Sequence, residues 1–140
     1  MNRINYVSVL VAGLVAGVVL NIGEFLLNGV VLAKQMEEAF RRYNVQPPGT
    51  TFMVVAVVLT FVLGIVLVLV YALIRPRLGP GPKTAIVASL ILWFAISVYT
   101  GIMSGVLFEV PSNLILIGMV WALVEYALAA IAGAWLYKES

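Results

Sequence analysis

Four long apolar stretches separated by short polar or proline-rich breaks dominate the hydrophobic pattern of this chain. The first, Ile4 to Ala33, contains Glu24 as its one charged residue. As a helix it would be roughly 45 Å long, more than the ~30 Å hydrocarbon layer of a bilayer, so tilt or protrusion is expected. Phe52 to Ile74 is a second apolar run with no acidic or basic residue, preceded by Thr50 and Thr51 as possible N-caps. Thr84 to Phe108 and Leu114 to Tyr137 are the third and fourth. Between the first two runs, Lys34 to Asn44 pairs Glu37 with Arg41 and Glu38 with Arg42 four apart in the favourable acid-first order. A polar helical extension of helix 1 is predicted over 34–44, with Asn44 at its C-terminal cap and Pro47-Pro48-Gly49 as the stop. Arg75 to Lys83 reads as a tight basic turn, with Pro82 suited to the first turn of the next helix.

The pattern predicts an all-α fold: an integral membrane antiparallel four-helix bundle, one membrane domain over 1–140, with spans near 4–33, 52–74, 84–108 and 114–137. Small residues recur four apart along several spans, a pattern that lets helix backbones approach closely in lipid. Gly13, Gly17, Asn21, Glu24 and Asn28 form one stripe on helix 1. Ser89, Trp93, Ser97, Gly101 and Gly105 form another on the third span, and Gly118, Ala122, Glu125, Ala129 and Ala132 a third on the last. Helices 1, 3 and 4 are expected to join along these seams, with the second span more peripheral.

Composition agrees: the chain is 64% hydrophobic and 10% charged, against about 25% charged in soluble proteins. The absence of Cys and His excludes disulfides, thiolate nucleophiles, imidazole catalysis and the common zinc sites. Asp is absent too, so the acidic groups are six glutamates. The eight basic residues lie outside the apolar spans, which argues for topology signals and against nucleic-acid binding. With four spans, Arg3, Arg75, Arg77, Lys83 and Lys138 share one side, while Lys34, Arg41 and Arg42 lie on the other. Five against three favours both termini in the cytoplasm of a bacterial inner membrane. Tyr6, Tyr71, Trp135 and Tyr137 would then form an aromatic belt at the cytoplasmic interface. A cleaved signal peptide, with Val31-Leu32-Ala33 as its cleavage site, is disfavoured by the length of the first run and by its polar stripe.

Glu24 and Glu125 are the informative residues, because an acidic group at mid-helix costs on the order of 2.5–3.5 kcal/mol on insertion scales. No Lys, Arg or His lies in the apolar part of any span to pair with them. They are expected to be neutral and hydrogen-bonded to candidates among Asn21, Asn28, Ser97, Tyr99, Thr100 and Tyr126. Three roles are open. The first is a structural or accessory helix-packing protein, in which the two carboxyls hold helix or partner contacts. An alternative is a small proton-coupled transporter of a cationic substrate acting as a homo-oligomer. A second alternative is a site for a lipid-like, quinone-like or pigment-like molecule walled by Trp93, Tyr99, Trp121 and Tyr126. No nucleophile elbow, metal cluster or phosphate-binding loop is present, so the protein is expected not to be an enzyme and to need no cofactor. Its expected partners are the lipid bilayer and further copies of itself or a larger membrane complex.

In its size, four spans and helix-1 glutamate the chain resembles the small multidrug resistance family, whose members work as dimers exchanging protons for cationic substrates, an architectural analogy that does not carry function across. Taken whole, the opening Ile4-Asn5-Tyr6-Val-Ser-Val-Leu-Val-Ala, the glycine-spaced first helix and the two later hairpins resemble a group of small bacterial four-span membrane proteins classified as a domain of unknown function. That resemblance implies architecture alone.

Overall fold

The structure, a computed structural model, describes residues 3–140; these are almost wholly helical, with no strand among them. Helix α1 (Tyr6–Leu26) starts from Asn5, whose side chain accepts the Ser8 N–H. It widens into a π-helical turn, Leu27–Val31, and breaks at Leu32 before the surface helix α2 (Ala33–Arg42). Helix α3 is Thr50–Leu78. Helix α4 (Pro82–Leu92) passes through a second π-helical turn, Trp93–Val98, into α5 (Tyr99–Phe108). The last helix is α6 (Ser112–Leu136). Four helical stretches are long and apolar enough to cross a membrane: Tyr6–Val31, Thr50–Leu78, Pro82–Phe108 and Ser112–Leu136.

Several boundaries differ from the sequence reading for local reasons. The first helix does not run unbroken to Ala33. At the π-turn the Leu32 N–H bonds the Leu27 carbonyl five residues back, and the Asn28 side-chain amide donates to the Glu24 carbonyl at 3.0 Å. Helix α3 begins after Gly49 as its N-cap, so neither Thr50 nor Thr51 caps it. It also continues through Pro76, where one hydrogen bond is lost, and stops at Gly79, whose positive φ suits glycine and whose N–H bonds the Arg75 carbonyl. Asn44 adopts the left-handed conformation that closes α2, with the Val45 N–H reaching the Phe40 carbonyl.

The most extensive helix contact pairs α1 with α3, so the second span is not peripheral. Gly64 lies against the Gly13 carbonyl and the Gly17 backbone, and any side chain at Gly64 would occupy that space. Ala56, Thr60 and Gly64 stand four apart in the sequence of α3, a small-residue face suited to packing against a neighbour, but that spacing does not name α1 as the neighbour. The third span is the least covered, with 11% of its most apolar window buried against 33% for the first. It leans on α6, where Gly101 and Gly105 receive Met119 and Ile115, and the Trp93 indole donates to the Met119 carbonyl at 2.8 Å. Helix α6 closes the bundle: Gly133 admits Val68 of α3 and Ala16 of α1, and Ala122, Ala129 and Ala130 are buried.

The end of the bundle that holds both termini is tightly joined. The Tyr71 and Tyr137 rings meet edge to face at 5.9 Å, and their hydroxyls accept the N–H groups of Gly81 and Asn5. Arg75 lies over the Tyr137 ring and pairs with Glu139 at 2.6 Å. The Lys138 N–H donates to the Ser8 hydroxyl at 2.7 Å, tying the last residues to the start of α1. At the opposite end the main tie is a single bond from the Tyr43 hydroxyl to the Phe108 carbonyl.

Candidate functional site

The α1/α6 contact brings the two intramembrane acids together. A Cβ built on Gly23 would lie 2.6–2.7 Å from atoms of the Glu125 carboxyl group, so Glu125 occupies the space that glycine leaves on α1. One turn earlier on α6, the Trp121 indole N–H donates to the Gly23 carbonyl at 3.1 Å. Glu24, the next residue on α1, is close enough for its carboxyl to act on that of Glu125, and both act on the Tyr126 hydroxyl.

Glu125 is 5% exposed, and both its carboxylate oxygens are buried without a hydrogen bond from a protein N–H or a neutral hydroxyl. The group able to satisfy it is the neighbouring carboxyl, in its acid form, since a carboxylic acid donates where a carboxylate only accepts. Glu24 is half-buried and receives a second anchor, the Asn28 side-chain amide on Oε2 at 3.1 Å.

The remaining residues singled out in the sequence are placed elsewhere. Asn21 turns toward α3: its amide donates to the Gly17 carbonyl at 2.9 Å and reaches the Val57 carbonyl at 3.5 Å. Ser97, Tyr99 and Thr100 belong to the third span, where Tyr99 and Thr100 are exposed and Ser97 half-buried. None of the three makes a hydrogen bond to either glutamate. Of the candidates, Glu24, Asn28, Glu125 and Tyr126 share one neighbourhood. Gly23 was overlooked because it lies beside the Gly13–Gly17 stripe, although a glycine next to an intramembrane carboxyl was a readable signal. Among the described residues no group of three or more acidic side chains could hold a metal ion.

Beside this pair, a groove of about 740 Å³ opens sideways between α1 and α6. Its walls are Val19, Ile22, Leu26, Leu116, Ile117, Val120, Val124 and Leu128, with Gly23, Trp121 and Glu125 on its floor. The outward parts of these walls are exposed aliphatic side chains, so the groove faces lipid. Comparison with family models, with curated proteins and with solved structures finds no match.

Proposed function

We propose that this protein is a non-catalytic membrane protein with a structural or accessory role, in which the Glu24–Glu125 pair acts in neutral, hydrogen-bonded form as the joint between α1 and α6. The observation that carries this reading is the seating of the Glu125 carboxyl on Gly23, beside Glu24 and behind Trp121. Interhelical polar contacts of this kind contribute only ~0.6–2 kcal/mol each, enough to fix the rotation of one helix against another. A transport role draws less support, because the groove next to Glu125 opens to the lipid face and has apolar walls.

The basic residues support an orientation with both termini in the cytoplasm: Arg3, Arg75, Arg77, Lys83 and Lys138 lie at the terminal end against Lys34, Arg41 and Arg42 at the other.

The test is substitution with and without hydrogen-bonding capacity. Glu125→Gln is expected to keep the folded, homogeneous protein, because an amide donates to and accepts from Glu24. Glu125→Leu is expected to lower resistance to unfolding in mixed detergent micelles. Equal stability of the two variants would overturn the joint. Loss of proton-dependent uptake of a cationic substrate in proteoliposomes of folded Glu125→Gln would instead establish transport.

A further inference from the structure

Besides the lipid-facing groove the structure holds a second cavity. About 470 Å³ in volume, this cavity lies at the surface end of α6, between α2 and the Val110–Pro111–Leu114 turn. Leu114 lines the surface cavity, while Ile117 and Trp121 line the groove. Spaced three and four apart, the three residues stand on one face of α6, so the cavities lie end to end.

Their chemistry differs sharply. The groove is aliphatic over the 12-residue rise from Leu116 to Leu128, about 18 Å of helix. One leaflet of a ~30 Å hydrocarbon layer is comparably deep. The surface cavity carries Gln35, Arg41, Arg42 and Tyr43, with Glu38 as its one acidic wall residue, so its charged groups sum to one positive charge. Arg41 is pinned by Glu37 at 2.9 Å, and Arg42 makes no ion pair with any described acidic residue.

We propose that the two cavities are a single site for an anionic phospholipid, its phosphate held by Arg41 and Arg42 and one acyl chain lying in the α1/α6 groove. A guanidinium pair suits a phosphate because its N–H groups match two phosphate oxygens at once. The groove takes a chain and not a head, since the carboxylate oxygens of Glu125 are buried beneath its floor. Trp121 on that floor is a built-in reporter.

The experiment places the protein in phosphatidylcholine vesicles containing a small fixed fraction of lipid brominated on its acyl chains, and reads quenching of Trp121 fluorescence. Trp93→Phe and Trp135→Phe isolate that signal, and the unsubstituted protein gives the same ordering at smaller amplitude should the double variant misfold. Brominated phosphatidylglycerol is expected to quench several-fold more than brominated phosphatidylcholine at equal fraction. The exposed double substitution Arg41→Gln/Arg42→Gln is expected to remove the difference. Equal quenching by the two lipids, persistence of the preference in the Arg41→Gln/Arg42→Gln protein, or stronger quenching by a brominated free fatty acid would each overturn the proposal.

Discussion

At the scale of single residues, the glutamates exchange one difficulty for another. Each is costly alone in hydrocarbon, and two carboxylates side by side would repel, yet one acid facing another forms a hydrogen bond. Glu125→Ala removes the proposed bond and leaves Glu24 beside a void, so a loss of about 2–3 kcal/mol is expected in reversible unfolding. Gly23→Val tests the same contact from the other helix. Its side chain would meet the Glu125 carboxyl at 2.6–2.7 Å, and an overpacking cost of about 1–3 kcal/mol is expected. If Gly23→Val is as stable as the unsubstituted chain, the carboxyl does not sit there. Both acids were legible in the sequence, since a charge within an apolar run announces itself. Their pairing was not, because it depends on which of several small-residue faces α6 presents to α1.

Among the helices, glycine positions separate contact from ornament. Gly64 faces the backbone of α1, whereas a Cβ on Gly118 would meet nothing within 4 Å. Gly64→Val is therefore expected to part α1 from α3 and cost about 3 kcal/mol or more. Gly118→Ala is expected to be neutral or to stabilise by about 0.5–1 kcal/mol, through the lower entropy of the unfolded chain. Thermal melts in detergent would read both, and equal effects would mean that the α1/α3 seam is misplaced. The four spans could be read from hydropathy, because the bilayer sets their length and polarity. The choice of α3 as the chief partner of α1 could not be read. Ala56, Thr60 and Gly64 signal a surface that permits close approach, and such a surface does not name the helix that approaches. The π-helical turns at Leu27–Val31 and Trp93–Val98 left no mark in the periodicity, since each shifts the register by a single residue.

The whole molecule is asymmetric from end to end. Aromatic, ionic and backbone contacts fasten the end bearing the termini, while the Tyr43–Phe108 bond is the main tie at the other. In the orientation proposed from the basic residues, a cysteine introduced at Lys83 reacts with a membrane-impermeant maleimide only after the cells are opened. One at Lys34 reacts in intact cells, and the reverse pattern would invert the topology. The chain contains no native cysteine, so each label reports a single position.

That same absence makes the decisive measurement simple. In the double variant Gly23→Cys/Glu125→Cys, the Cβ introduced on α1 would fall 2.7 Å from the place of the Glu125 Cγ, where the sulfur on α6 would stand, so a disulfide is within reach after small adjustment. Mild oxidation in native membranes is predicted to give a crosslink within one chain, seen as a mobility shift that reduction reverses. Failure of that pair to crosslink, while a control pair at Val68 and Gly133, where glycine on α6 likewise admits a side chain of α3, does so readily, would contradict the joining of α1 to α6 through the buried acids.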